Sequence, residues 1–456
     1  MRVSSIEQLA DFAAGLSLGD IPADVRERAR ACLLDGIGCI LGAWALPQGE
    51  WIARWAESMG GEGEAAIPGG NRLVPLVVAS YASGCLINML DFDDTAPLAG
   101  HPGAGVIPAV LATAWWHLKG RPFESCIGGI PVGVSGGELI PAVVAGYEVS
   151  IRVVAAGKPS AEREARVRGH STWQTFGAAA AAGRMLGLDS RRMAQALALA
   201  SLHAPVPFVG RWYDRPINTV KNNYGWVAMG GVLSAILARE GWTGNVGILD
   251  GPGGFWEMAG SDRWNPNLIS EALGISFRIM DVGFKRYPAC WHMGAALSAL
   301  DRIVQSHSVT VGAVAKVRIR SAPYITNFAD WDPRSPFDAQ FSLPYASAMV
   351  LLRIPPGPRW FDPELLFSSE VREVMSKVEI VGEEIPSGAP GRIPARVTVE
   401  TFGRARWSEE ALWPPGDPLQ PPSWEEIVRK FRHLAQTRLD PCTSEEIVSW
   451  VRSLGE

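Results

Sequence analysis

Cysteine and histidine are scarce in this 456-residue chain, with six of one and seven of the other. Cys32, Cys39, Cys85, Cys126, Cys290 and Cys442 show no CxxC spacing, and several fall in apolar helical stretches where a small hydrophobe is all that packing needs. Disulfides and a four-cysteine zinc or cluster site are therefore not expected. A GxSxG elbow, a glycine-rich phosphate loop, a solenoid repeat and low-complexity segments are all missing. The formal net charge of −5 leaves no basic footprint for nucleic acid, so a small molecule is the expected partner. No apolar run is read as reaching the roughly 18 to 20 residues that cross a bilayer. The first 19 residues carry acids and lack the basic start and continuous apolar stretch of a signal peptide. The expectation is a cytoplasmic protein without a membrane partner.

What the chain does have is small and aliphatic side chains at helical spacing. From Ile6 to Gly42 the apolar positions follow a helical period, with Pro22-Ala23-Asp24 as a start signal. Segments 106–117, 139–156, 175–186, 190–202 and 221–240 read as further helices. In 177–183 the side chains are so small that neighbouring helices can approach closely, which marks an inner helix. Gly128-Gly129 to Gly136-Gly137 reads as a flexible surface insertion. Beyond about Ile275 the texture changes: 316–320, 378–381 and 396–401 alternate like half-buried strands, with helical segments at 294–305 and 342–352 between them. The proline-rich passage from Trp413 to Pro422 reads as a linker, and Ser423-Trp424-Glu425-Glu426 has capping-box spacing. A chain this long exceeds one ordinary core. The predicted class is mainly α with a second α+β domain: 1–273 together with 408–456 as a large helical domain, and 274–407 as a small, lid-like α+β domain.

Chemistry concentrates where the apolar segment 73–90 ends. Leu90-Asp91-Phe92-Asp93-Asp94-Thr95, followed by His101-Pro102, gathers three acids, a hydroxyl and an imidazole. If the chain folds back, an acid can fix the tautomer of His101; the plainer reading is a helix cap and a turn. Asp91, Asp93 and Asp94 with His101 also offer metal ligands, but the second acidic segment of a two-metal site is missing, and no metal is expected. His170, in Arg168-Gly169-His170-Ser171-Thr172, stands before the alanine-rich helix, where a helix N-terminus favours an anion. Lys221 and Lys285 are candidates for binding carboxylates. His292 reads as either core or site, and Cys290 is a nucleophile only with an imidazole in contact.

Taken in order, these segments resemble the MmgE/PrpD family over nearly the whole chain. The marks are Leu90 to Thr95 with His101-Pro102, Ala145-Gly146-Tyr147-Glu148-Val149, and Gly169-His170-Ser171-Thr172 leading to Phe176-Gly177-Ala178-Ala179. Further on come Lys221 with Gly225, Gly241-Trp242-Thr243-Gly244, Lys285-Arg286-Tyr287-Pro288 with Cys290, Phe341-Ser342-Leu343-Pro344-Tyr345, and Pro415-Gly416-Asp417-Pro418 before Lys430-Phe431. That family includes 2-methylcitrate dehydratase, cis-aconitate decarboxylase and iminodisuccinate epimerase. The resemblance implies a large helical domain and a smaller α+β domain with a cleft between them, a homodimer, and catalysis with no cofactor, no metal and no iron–sulfur cluster. By motif match the active-site positions are Asp91, Thr95, His101, His170, Lys221, Lys285 and Cys290.

The function so implied is a cofactor-independent lyase, a dehydratase or decarboxylase, acting on a carboxylate-bearing small molecule. Lys221 and Lys285 would bind carboxylates, one of His101 and His170 would remove a proton and the other deliver one, and Asp91 would orient His101. Thr95, Cys290, Tyr287 and Trp212 would contact substrate. The alternatives are an isomerase, epimerase or cyclase using the same acid and base, and a non-catalytic binding protein. This chain departs from the family at Asn88, Ala96 and Met293-Gly294, where family members often carry histidine. Its aromatic stretch from Phe208 to Tyr213 has two readings: Phe208 and Trp212 pack between helices, or they line the pocket and favour a larger or less charged ligand than a tricarboxylate, in which case 2-methylcitrate is not the expected substrate.

Overall fold

The computed structural model describes residues 3–118, 126–217, 221, 223–386 and 392–456. Ser4 opens α1 (Ser5–Gly15) through a reciprocal pair, its hydroxyl accepting the Glu7 N–H while the Glu7 carboxylate accepts the Ser4 N–H. Pro22 precedes α2 (Ala23–Ala43), and Pro47 begins α3 (Pro47–Ser58), where its missing N–H has no intrahelical partner to lose. An antiparallel pair, β1 (Ala65–Ala66) with β2 (Leu73–Val74), leads into α4 (Leu76–Met89) and α5 (Pro102–Ala114). A Ser135/Glu138 capping box starts α6 (Gly136–Ala156). Then come β3 (Val167–Arg168), α7 (His170–Met185), α8 (Ser190–His203), β4 (Phe208–Val209), paired antiparallel with β3, and α9 (Asn223–Arg239). The helix expected at 175–186 therefore begins at His170 itself, and the one expected at 106–117 begins at Pro102.

Small side chains let α6 and α7 touch backbone to backbone. A Cβ at Gly177 would lie 2.5 Å from the Gly146 carbonyl oxygen, and one at Gly146 would lie 2.9 Å from the Ala181 Cβ. Two expectations fail here. Helix α6 is long and apolar enough to cross a membrane by length and composition, although the sequence reading found no such run. The run was missed because Glu148 and Arg152 interrupt it. Both side chains are fully buried and pair at 3.2 Å, and the helix sits inside the protein as a core element. Nor is the segment around Gly128-Gly129 a loose insertion. Gly128 and Gly129 turn in the left-handed region, the Gly128 carbonyl accepts the Gly69 N–H at 2.8 Å, and Ile130 is fully buried.

The second part of the chain holds α10 (Gly294–Ser306), β5 (Val314–Ser321), α11 (Leu343–Leu351), α12 (Ser369–Ser376), β6 (Val378–Gly382), β7 (Ala395–Thr401) and β8 (Arg406–Ala411). The sheet order is β6-β5-β7-β8, with β5 and β6 parallel and the other pairs antiparallel. The expected boundary at 407/408 cuts through β8. This strand has a polar outer face (Arg406, Ser408, Glu410), so its sequence lacks the strand signature. Helices α13 (Trp424–Ala435), with the expected Ser423/Glu426 capping box, and α14 (Pro441–Ser453) return to the first part. There α13 lies against α2 so closely that a Cβ at Gly42 would come within 2.7 Å of Leu434. The whole is mainly helical with a second α+β portion.

Candidate active site

The acidic run is the link between α4 and α5, and one backbone angle decides its geometry. Asp91 takes a left-handed conformation (φ 51°), a state rare for a residue other than glycine, and its N–H donates to the Asn88 carbonyl at 3.0 Å. That turn sends its carboxylate toward two ammonium groups: Oδ1 lies 3.0 Å from Lys221 Nζ and Oδ2 lies 3.1 Å from Lys285 Nζ. Lys285 Nζ also donates to the Asp91 carbonyl at 2.8 Å. Burial works to raise the Asp91 pKa, but Lys221, Lys285 and His101 outweigh it and hold the carboxyl far below the usual range. Burial lowers the Lys221 pKa, and Asp91 offsets part of that. Two cations on one carboxylate leave the cluster net positive.

The acid that orients His101 is Asp93, not Asp91 as the sequence suggested. His101 is the residue just before α5, and its Nδ1 lies 3.0 Å from Asp93 Oδ2, while Asp93 Oδ1 accepts the Asn88 amide at 2.9 Å. With Nδ1–H donating to the carboxylate, Nε2 is the free nitrogen, 4.0 Å from Asp91 Oδ1. Burial would raise the Asp93 pKa, but His101 holds it below the ordinary value. Asp94 anchors the link. It accepts the Gly103 N–H at 3.1 Å and the Tyr147 hydroxyl, and with no cation paired to it among the described residues, burial pushes its carboxyl up to about 7. Thr95 exchanges both backbone hydrogen bonds with Gly283 (2.9 and 2.8 Å), which ties the link to the segment carrying Lys285. Its Oγ1 is buried without a partner among the described residues.

His170 is the first residue of α7 and abuts Gly100, whose Cβ, if present, would stand 3.3 Å from the His170 Cβ. Burial first, then Arg168 and His101, pushes its pKa down to about 4, so the ring is neutral at pH 7. His292 is likewise pushed down to about 4, by burial and then Arg168. Burial drives the Cys290 thiol up to about 11; a protonated thiol of this kind is no nucleophile.

These groups share one cavity of about 520 Å³, lined by Asp91, Thr95, His101, His170, Lys221 and Cys290 on its polar side. Phe208, Tyr213, Tyr224, Tyr324, Phe328 and Phe341 give it aromatic walls, and Glu164, Arg168, Arg215 and His292 are among its other lining residues. Lys285 stands behind Asp91 and does not line it. Two expected contacts are not met. Trp212 packs on Phe208 (ring centroids 5.2 Å) and is not among the lining residues. Tyr287 stacks on Trp360 (6.2 Å) and points its hydroxyl to Asp301 (3.4 Å), facing a different hollow. Arg168, which the sequence shows only as a neighbour of His170, lines the cavity, and Asp93, which it offers only as a metal ligand, holds His101. Tyr324 and Phe341 come from far along the chain and carried no sequence signal. Asp91, Asp93 and His101 also bring ligand atoms within 4.8 Å of one another, the spacing of a cation site. Both Asp91 oxygens, however, are already held by ammonium groups, a poor donor set for a metal.

Fold and sequence agree on one class. The MmgE/PrpD N-terminal domain matches residues 7–266 and the MmgE/PrpD C-terminal domain matches residues 287–455, so the chain belongs to the MmgE/PrpD family. It is similar to the cis-aconitate decarboxylase of Homo sapiens, at 26% identity over 100% of this chain and 92% of the relative. A cis-aconitate decarboxylase-like protein of Aspergillus oryzae is 26% identical over 98% of this chain and 94% of its own length. The cis-aconitate decarboxylase of Aspergillus terreus is 25% identical over 98% and 92%.

Proposed function

We propose that the protein is a cofactor-independent lyase that removes carbon dioxide or water from a carboxylate-bearing small molecule. The observation that supports this most is one cavity lined by His101, which Asp93 holds, by a neutral His170, and by Lys221 and Asp91, whose cluster Lys285 makes net positive from outside the lining. Loss of carbon dioxide breaks a carbon–carbon bond and leaves its electron pair on carbon, conjugated to a neighbouring carboxylate. Loss of water begins by removing a proton next to such a group. Either path builds negative charge where fixed cations stabilise it most effectively. In decarboxylation a protonated His101 gives its Nε2 proton to the carbon that lost carbon dioxide, Asp93 balancing the charge on the ring; in dehydration neutral His170 takes the proton from carbon while His101 Nε2 protonates the departing hydroxide. Lys221 holds a substrate carboxylate, and Asp91 keeps Lys221 aimed and charged.

Because relatives are named for cis-aconitate decarboxylation, that substrate is tested first, with 2-methylcitrate beside it as the dehydration substrate not expected to turn over. Carbon-13 NMR of purified protein with labelled acid should show carbon dioxide release. His101→Ala should lower kcat by about 10²- to 10⁴-fold, the range for loss of general acid–base catalysis. Equal rates in the wild type and His101→Ala would remove the reading. Deuterium uptake from solvent into otherwise unchanged substrate would instead assign an isomerase.

A further inference from the structure

Three buried polar atoms of the cavity-lining residues have no hydrogen-bond partner among the described residues: Thr95 Oγ1, Trp291 Nε1 and His292 Nδ1. The last belongs to a side chain that the mechanism above does not use. His292 sits in a tight turn, Trp291–Met293, which is tied down on its N-terminal side by the Cys290 N–H donating to the Gln340 carbonyl at 2.9 Å. A second bond closes the turn, from the Met293 N–H to the Cys290 carbonyl, also at 2.9 Å. Two aromatic rings pack on the imidazole: Tyr324 meets it edge-on, with 5.2 Å between centroids, and Phe328 lies at 6.4 Å. Backbone and side chain are both held, as a group acting on a substrate must be.

The surroundings also choose where its proton sits. Burial, and then the like charges of Arg168, Lys285 and His101, disfavour the imidazolium; Asp91 acts in the other direction and does not offset them. A neutral imidazole carries one proton, on one of its two nitrogens. On Nδ1 that proton would be a buried donor with no acceptor among the described residues. On Nε2, the nitrogen left on the open side of a cavity-lining ring, it can meet a ligand or water.

We propose that His292 is a further catalytic residue, donating a hydrogen bond from Nε2 to the substrate oxygen on which negative charge gathers. This rests on the lyase reading. When the bond to carbon dioxide breaks, or when His170 takes the proton from carbon, the electron pair left on carbon spreads onto an oxygen of the group conjugated to it. The Nε2 proton of His292 stays on nitrogen throughout, and the proton given to carbon or to the departing hydroxide still comes from His101. An uncharged N–H suits this task because it keeps its proton and needs no counter-charge of its own.

Two measurements test it, and the first needs no turnover. Nitrogen-15 NMR of histidine-labelled wild type, with the His292 signals assigned by their loss in His292→Gln, should show a single ring proton on Nε2 from about pH 6 to 8. A charged ring in that range, or a proton on Nδ1, overturns the proposal whatever the activity. The second measurement compares rates on an acid that the wild type converts. His292→Phe keeps an aromatic ring beside Tyr324 and Phe328, and it should lower kcat by about 10²- to 10³-fold, the cost of one lost oxyanion donor, with little change in KM. His292→Gln, whose amide can place an N–H near the position of Nε2, should recover at least about tenfold of that loss. Both limbs of the pH profile should stay in place, because His101 and His170 set them. A limb lost in His292→Phe would make His292 an acid or base and overturn the proposal. Equal kcat in wild type and His292→Phe would overturn it too, and leave the lyase reading standing. A wild type that converts no acid removes the lyase reading and, with it, the charge that His292 is to meet, even where NMR finds the proton on Nε2.

Discussion

The division of labour among Asp91, Asp93 and Asp94 comes from a few degrees of freedom at single residues. Asp93 sets the tautomer of His101 and Asp91 collects the ammonium groups, so replacing each should fail differently. Asp93→Asn keeps the size of the side chain but removes the charge behind the imidazole. It should lower kcat by about 10²-fold or more with little change in KM, because the interaction matters most when the ring carries the proton. A matching rise in KM would place Asp93 in binding instead. Sequence made His101 and His170 visible because histidine is scarce and each stands at a helix start. It could not separate Asp91 from Asp93, since which carboxylate turns to the lysines depends on the left-handed φ of Asp91. That backbone state is selected by tertiary contacts, among them the Lys285 ammonium on its carbonyl.

Helix α13 holds the site from behind. Lys430 Nζ lies 2.7 Å from Asp35 Oδ1 on α2, and also donates to the carbonyls of Phe92 (2.6 Å) and Lys285 (3.1 Å). One ammonium thus fixes both backbone segments that carry the Asp91–Lys285 pair, which makes Lys430 a positioning residue. Lys430→Met strands a buried carboxylate and should destabilise the fold by about 3–5 kcal/mol. Adding Asp35→Asn should return part of that stability in denaturant titrations while kcat stays low. If kcat recovers with stability, Lys430 serves the fold alone. The sequence showed α13 through its capping box and apolar face. What it could not show was that the helix lies on α2, a contact set by Gly38 and Gly42 more than three hundred residues earlier. Strand β8 stayed hidden for the opposite reason, because an edge strand with a polar outer face lacks the period of a buried one.

Across the whole molecule, buried ionisable groups pull stability in opposite directions with pH. His170 and His292 titrate near 4 when folded and near 6.5 when unfolded. Between those values the unfolded chain takes up protons that the folded one refuses, so their contribution falls as the solution is acidified. Asp94 does the reverse. Its folded value of about 7 lies above its unfolded value, so the folded state keeps a proton that the unfolded state releases, and its contribution falls as pH rises toward 7. Asp94→Asn removes that second trend. The stability of the variant relative to wild type should therefore improve between pH 4.5 and 7, by up to about 1.4 kcal/mol per pH unit. A difference that stays flat or declines over that range would show that Asp94 is ionised in the fold.

The grip of Lys430 on Phe92 spans 338 residues of sequence. At a synthesis rate of about 5–20 residues per second, roughly 17 to 70 seconds separate the appearance of the acidic link from that of the cation that secures it. Throughout that interval Asp35 lacks the ammonium that pairs with it in the fold, so closing the helices around it means burying the acid without that partner. The pocket is in this sense a late event in the life of the chain, assembled only when a distant helix docks onto a surface that has been kept waiting for it.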